Sequence, residues 1–508
     1  MSLLGLAYLI VMTWLAVYGF NALLLSWLFL RHRQQDAPCP PLTETPAVTI
    51  QLPVYNELYV VERLIDAIAH LNYPRDRLQI QVLDDSTDET TAVARARVDF
   101  YRAQGTDIEL IHRTERTGFK AGALQHGLAR ARGEFIAVFD ADFVPDPDFL
   151  IKTVPYFLKR PRLGMIQTRW GHINADYSPL TRAQAIALDG HFVVEQTARN
   201  RSGLFMNFNG TAGIWRRECI EAVGGWQTDT VTEDLDLSYR AQLAGWEFLC
   251  LPDVLSPAEL PPQINAFKHQ QFRWAKGSIQ CALKLWRSVL KAPVSIFKRL
   301  EAMIHLTSYL VHPLMLFLCF LSLPLLLWEG ERRSPFLSYL SLASLGPPLL
   351  YALSQWALYH DWPKRFAYFP LLVFLGIGIA LNNTKAIWEA LTRRESDFRR
   401  TPKFRLEGKK DRWAGKRYAL PFNWVTLGEF ALSLYAALTT WVALQTGHYG
   451  ALPFLLLYVC GFGYVAVCSL WHSLLDRGFS LAVVNRTGSR SLTRRGKHSP
   501  MSRRSCAD

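Results

Sequence analysis

The sequence predicts an α/β domain, a mixed and mostly parallel sheet flanked by helices, joined to an α-helical transmembrane domain of about five spans with interfacial helices. Three observations predict it. Short β-branched runs alternate with helical patterns between residues 48 and 139, the order that builds a parallel sheet covered on both faces. Apolar runs long enough to cross a bilayer flank residues 36–291, a stretch that contains none. Acidic clusters recur at the ends of the predicted strands, where open α/β sheets bind ligands.

The first element is a nearly charge-free run over residues 3–30, closed by Arg31, His32 and Arg33. At ~1.5 Å per residue it crosses a ~30 Å hydrocarbon core. With no basic region before it and no small-residue cleavage site, it reads as an uncleaved anchor. A strand at 48–52 then leads through the Pro53 to Glu57 turn into a helix carrying Leu64, Ile65 and Ile68. Strands at 78–83, 108–111 and 135–139 alternate with helices at 88–101 and 120–131. A further helix is expected at 235–244, after the Gly224-Gly225-Trp226 turn.

Apolar runs return near 304–328, 336–358, 368–381, 424–444 and 451–471. Charge orients them, because basic loops stay on the cytoplasmic side. Arg31 and Arg33, the basic loop 393–417, and a tail with Arg486, Arg490, Arg494, Arg495, Lys497, Arg503 and Arg504 should all lie inside, and only an odd number of spans allows it. The run at 368–381, which passes into Asn382-Asn383-Thr384-Lys385, is therefore expected to be interfacial or re-entrant. The expected divisions are an anchor over 1–33, the α/β domain over 34–290, interfacial and membrane helices over 291–472 with a cytoplasmic loop at 391–423, and a basic, disordered tail over 473–508.

Net charge is +13, and half the residues are hydrophobic, 13% of the chain being aromatic. Such a charge suits nucleic acid, or else anionic headgroups and nucleotide phosphates; the membrane runs favour the second, and no nucleic-acid partner is expected. Eight scattered cysteines without a CxxC pair indicate neither a zinc site nor a disulfide framework, which fits a reduced, cytosolic domain.

Four clusters carry the chemistry. Tyr55, Asp84-Asp85 and Asp140-Ala141-Asp142 each follow a predicted strand. One acidic pair alone is as readily a helix cap, and Ser86 to Glu89 has the form of a capping box; three clusters on one edge favour a ligand. Asp140 and Asp142, alternate residues of an extended segment, would present two carboxylates together, a set suited to Mg²⁺ or Mn²⁺ bridging to phosphate, while Pro145 to Asp148 leaves a solvated turn as the alternative. Glu233 and Asp234 open a helix, where the dipole favours acids, or supply a base. Gln270, Arg273 and Trp274 suit a diphosphate and a sugar ring, although an interfacial anchor is the simpler reading of that segment alone.

The four clusters in this order resemble the membrane-embedded, processive family 2 glycosyltransferases, the cellulose, chitin, hyaluronan and mannan synthases, over about residues 48–277 and into the membrane part. The resemblance implies a GT-A type fold. It places Tyr55, Glu57, Asp84 and Asp85 at the nucleoside, Lys120-Ala121-Gly122 beside the nucleotide, and a divalent cation, Mg²⁺ or Mn²⁺, at Asp140 and Asp142. Asp234, with Glu233 beside it, matches the general base, and Gln270, Arg273 and Trp274 match the QxxRW motif at the diphosphate and acceptor end. Phe208-Asn209-Gly210-Thr211-Ala212-Gly213 is similar to the plant mannan synthase type and its bacterial relatives, which puts Asn209 and Gly210 at the acceptor. Phe398 to Lys403 loosely resembles the gating loop FxVTxK of cellulose synthases, with Thr401 and Lys403 over the nucleotide and Arg400 where that motif has Val.

What the resemblance implies is an inverting, processive transferase making a β-glucan or a β-mannan or glucomannan from UDP-glucose or GDP-mannose, embedded in a bacterial inner membrane or the Golgi, with its catalytic domain cytoplasmic. Fewer N-terminal spans and no cyclic-dinucleotide domain weigh against cellulose itself. A ceramide glucosyltransferase-like transfer of one sugar to a lipid is the second reading, and a scaffold with a degenerate nucleotide domain the third. Gly461-Phe462-Gly463 reads as helix packing, and Asn209-Gly210-Thr211 as an unused sequon on the cytoplasmic side.

Overall fold

A computed structural model describes residues 2–33, 38–328, 340–394 and 400–492. Its centre is a seven-stranded sheet built from β1 (Val48–Val54), β2 (Leu78–Asp84), β3 (Ile108–His112), β4 (Phe135–Val138), β5 (Leu163–His172), β6 (Gly213–Arg216) and β7 (Glu247–Ala258). The order is β3-β2-β1-β4-β6-β5-β7. β3, β2, β1 and β4 run parallel, β6 is antiparallel to β4 and β5, and β5 is parallel to β7. Every residue of β1, β2 and β4 is buried, as strands covered by helices on both faces require. Two apolar clusters fill the faces, one led by Ile50, Val82 and Phe139, the other by Leu124, Ile136 and Trp215.

Chain order reverses at β1, which pairs with β2 on one side and β4 on the other, so a crevice opens beyond their carboxyl ends. Register sets Val54 beside Asp84, and Gln51 beside Val138, two residues short of Asp140. The nucleotide-side and metal-side clusters are neighbours for this reason. β1 to β4 coincide with the expected strands to within about two residues. β5, β6 and β7 carry no comparable signal: β6 has four residues, and β7 contains Pro252 and Pro257, tolerated because it is an edge strand.

Among the described residues, four helices are long and apolar enough to cross a bilayer: Leu3–His32, Ser308–Trp328, Val425–Gln445 and Tyr449–Asp476. A fifth candidate is a pair, Trp362–Gly378 and Ala380–Leu391, bent by 41°. Of the expected run at 336–358, the described part is a 3₁₀ turn, Leu342–Leu345, and a 13-residue helix, Gly346–Leu358; its beginning lies outside the described residues. The tail expected to be disordered from residue 473 is helical to Leu492, a continuation of the helix that starts at Leu452; residues 493–508 lie outside the described residues. Helices Ile264–Lys291 and Ile296–Leu306 join the α/β domain to the apolar bundle.

Candidate active site

One cavity lies beyond the carboxyl ends of β1, β2 and β4. It is closed by the loop at 209–212, the start of helix Glu233–Leu243, one face of helix Ile264–Lys291 and the segment 400–403.

At its β1–β2 end Tyr55 lies under the guanidinium of Arg116, 3.4 Å from the ring centroid. Asp85 is gripped by Arg113, whose Nε and Nη2 donate at 2.7 and 2.6 Å. Both arginines escaped the sequence reading; the signal was a basic pair directly after β3. Asp84 does not face the cavity. Its carboxylate is fully buried and accepts from Ser86 N, Thr91 Oγ1 and His112 Nδ1, so its role is to staple the β2 turn to the next helix and to β3. The capping box does not form: helix Thr90–Ala103 starts at Glu89 with no side-chain cap, and Ser86 Oγ instead takes the Asn56 N–H.

Asp140 and Asp142 sit on a turn after β4, closed by Phe143 N donating to Asp140 O at 3.1 Å, and not on an extended segment. Both still line the cavity. Lys120 Nζ lies 2.7 Å from Asp140 Oδ1 and donates to Gly210 O at 2.8 Å. Burial would raise the Asp140 carboxyl, but Lys120 and Arg400 outweigh it and hold it below the usual carboxylate range. Asp142 Oδ2 accepts from Lys403 Nζ at 2.7 Å and Glu259 N at 3.2 Å, while its Oδ1 is buried with no hydrogen-bond partner. Two carboxylates on one cavity, one with an unused buried oxygen, fit a hard divalent cation. Among the described residues no group of three or more His, Cys, Asp or Glu could hold a metal ion, so an ion here would draw further ligands from phosphate or water.

Asp234 lies in the first turn of helix Glu233–Leu243. Burial, and then the adjacent Glu233, push its carboxyl up to about 7. Glu233 is raised by its own burial, against the pull of Lys120. Gly210 passes close by: its φ is +81°, and a Cβ there would fall 2.9 Å from Asp234 Oδ2, so the backbone approach requires glycine. Gln270, Arg273 and Trp274 project from one face of helix Ile264–Lys291 into the cavity, and Arg273 donates to Thr401 Oγ1 at 3.1 Å.

The segment from Arg400 onward is strapped across the site. Arg400 Nε pairs with Glu57 at 2.7 Å and its guanidinium donates to Pro53 O. Burial pushes Glu57, only 2% exposed, up to about 8, with Arg400 and Lys403 offsetting part of the shift. Glu259 accepts from Phe404 N and Leu406 N, and Arg417 and Tyr418 bind Glu89 and Asp88 further along. Glu259, another acid just past a strand end, was also missed.

Of the expected site residues, Tyr55, Asp85, Lys120, Asp140, Asp142, Asn209, Gly210, Glu233, Asp234, Gln270, Arg273, Trp274, Thr401 and Lys403 line this cavity; Glu57, Asp84 and Gly122 do not. Glu57 works through Arg400, and Gly122 packs so tightly that a Cβ would meet the Thr117 carbonyl oxygen at 2.1 Å. Phe398 and Arg399 of the gating-loop motif lie outside the described residues.

Comparison with known proteins matches residues 46–277 to the model of glycosyltransferase like family 2. Probable glucomannan 4-beta-mannosyltransferase 7 of Oryza sativa subsp. japonica is 42% identical over 261 residues, covering 50% of this chain and 45% of that protein. Glucomannan 4-beta-mannosyltransferase 1 of Cyamopsis tetragonoloba is 42% identical over 264 residues, 50% of each. The chain thus spans about half the length of the curated relatives it matches. A mannosyltransferase from Pyrobaculum calidifontis, solved in complex with GDP-Man and Mn²⁺, superposes with a TM-score of 0.53 at 22% identity, over 76% of this chain and 99% of that one; the shared architecture is the GT-A fold.

Proposed function

We propose that this chain, whose residues 46–277 are a family 2 glycosyltransferase domain, is an inverting, processive β-glycosyltransferase that extends a β-mannan or glucomannan from a nucleotide sugar at a membrane. The observation that carries the reading is the meeting of Asp234, held near neutrality, with the Asp140/Asp142 pair in one cavity roofed by basic side chains. GDP-mannose is the first donor to test, because the relatives are named as mannosyltransferases; UDP-glucose is the second.

In the proposed reaction Asp234, deprotonated, takes the proton of an acceptor hydroxyl. The freed oxygen attacks the anomeric carbon from the side opposite the diphosphate, so an α-linked donor gives a β-linkage. Lys120, Arg273 and Lys403 surround the departing diphosphate with positive charge, and the strap excludes the water that would hydrolyse the donor. A divalent cation, Mg²⁺ or Mn²⁺, when held by Asp140 and Asp142, supplies further charge neutralisation on the diphosphate. The apolar helices hold the domain against the bilayer, with the α/β domain and the basic loop at 393–417 on the cytoplasmic side.

Membranes containing the protein, supplied with labelled GDP-mannose or UDP-glucose and a divalent cation, should yield a β-1,4-linked polymer by linkage analysis. Label recovered solely in organic-extractable lipid would overturn the polymer reading in favour of lipid transfer.

A further inference from the structure

Three residues that line the cavity each carry a buried polar atom with no hydrogen-bond partner and take no part in the reaction proposed above: Trp170 through Nε1, His172 through Nδ1 and Asn209 through Nδ2. Buried polar atoms nearly always find a partner, so three orphans at one place mark where something else supplies it.

Their surroundings are built to hold them still. Trp170 and His172 lie at the carboxyl end of β5, on the same face of the strand. The Trp170 ring packs against Phe143 and Phe192, with centroids 5.3 and 5.0 Å away. His172, whose side chain is 5% exposed, meets Asp189 Oδ1 through Nε2 at 3.0 Å, and Gln355 from helix Gly346–Leu358 donates to the other oxygen of that carboxylate at 2.9 Å. Asn209 Oδ1 is engaged by His191 Nε2 and Asn207 Nδ2, both at 2.9 Å, which leaves its Nδ2 spare; His191 is itself held by Glu195. Asp189 and His191 flank the start of a π-helical turn, Gly190–Glu195, so one locally widened turn anchors two of the three groups.

Sheet order says which substrate meets them. Tyr55 and Asp85 stand over β1 and β2, the Asp140/Asp142 pair over β4, and Trp170 with His172 over β5, beyond β6 and away from the nucleotide end. Asn209 is joined to Gly210, the residue that packs against the Asp234 carboxylate. A ligand at the three orphans would therefore present its hydroxyl to the proposed base from the side opposite the nucleotide.

We propose that Trp170 and His172 join Asn209, which the family resemblance already puts at the acceptor, in a hexose subsite for the non-reducing end of the acceptor chain, a proposal that rests on the glycosyl-transfer reading above. A sugar hydroxyl is both donor and acceptor, so it satisfies the indole N–H, the amide N–H and the imidazole nitrogen alike, and the aromatic ring offers the flat surface on which a pyranose packs.

The test uses the full-length protein in detergent and mannotetraose as probe. Trp170→Phe keeps an aromatic ring and removes the N–H; His172→Ala removes the ring nitrogen. Each should weaken mannotetraose binding by calorimetry, and raise its KM in transfer assays, by about tenfold, the cost of one lost hydrogen bond to a buried group, with GDP affinity and donor KM unchanged. His172→Gln, which keeps a polar atom, should bind more tightly than His172→Ala. Equal loss of nucleotide and oligosaccharide affinity would mean a merely structural role, and unchanged mannotetraose affinity would mean no subsite; either overturns the proposal. Binding is read without turnover, so wild-type protein that binds mannotetraose through these residues but transfers no sugar would refute the proposed function and leave the subsite standing.

Discussion

Lys403 Nζ lies 2.7 Å from Asp142 Oδ2, a contact that spans 261 positions of sequence. A cation on the strap therefore neutralises one member of the carboxylate pair suited to a metal, and Asp142 keeps only Oδ1 unused. Lys403→Ala should act on the two ligands in opposite directions. The site becomes more negative, so less Mn²⁺ is needed for half-maximal activity; the diphosphate loses a cation, so donor KM rises about tenfold or more. Steady-state kinetics with metal and donor titrated separately checks both.

The Arg400–Glu57 pair holds the same strap to the β1 turn. With Glu57 2% exposed and its carboxyl already pushed up to about 8, Arg400→Ala removes the main cation offsetting that burial, so the acid takes up a proton and the strap loses a charge-assisted anchor, a loss of about 1.5–3 kcal/mol at most and less here because the Arg400 side chain is 18% exposed. Protease nicking within residues 400–421 should quicken. Glu57→Gln in the same chain should leave that cleavage rate little changed near neutral pH, since the buried acid is already neutral without Arg400.

Asp234 should impose an ascending limb on the pH profile. With its carboxyl at about 7, kcat falls roughly tenfold per unit below that pH and levels off above it, because only the ionised form accepts a proton. Asp234→Asn should cut transfer by about 10²–10⁴-fold with nucleotide affinity kept. Stability moves the other way. A carboxyl raised in the folded state favours folding in acid, and that contribution is lost as pH rises from its ordinary carboxylate range through about 7, so Asp234→Asn should raise the melting temperature more at pH 8 than at pH 5.

Lys268 and Glu429, 1% and 0% exposed, pair at 2.7 Å between helix Ile264–Lys291 and helix Val425–Gln445. This pair ties the helix of Gln270, Arg273 and Trp274 to the apolar bundle. Lys268→Met or Glu429→Leu alone should cost about 3–5 kcal/mol, read as a lowered melting temperature in detergent, while the double variant should return close to the original value because neither charge is left buried alone.

Much of the site was legible because strand ends are local features. Alternation of β-branched runs with helical patterns placed β1, β2 and β4, and Tyr55, Asp85, Asp140 and Asp142 follow them within a few residues. The same local logic misplaced Asp84, since neighbouring residues of a strand end point apart and one must turn inward, here onto Ser86, Thr91 and His112. Hydropathy found the apolar run at 368–381 but not the 41° bend between helices Trp362–Gly378 and Ala380–Leu391, because it records composition and not direction.

The sequence by itself determined the α/β class, the order of the acidic clusters and the apolar segments, all properties of residues a few positions apart whose periodicity and turn chemistry are written in their neighbours. The tertiary structure alone decided that Lys403 meets Asp142, that Arg400 meets Glu57, and that Trp170, His172 and Asn209 share one end of the cavity. Those contacts follow from the order in which seven strands pack and from where the strap crosses them, and that order arises from non-local burial, which no window of sequence contains.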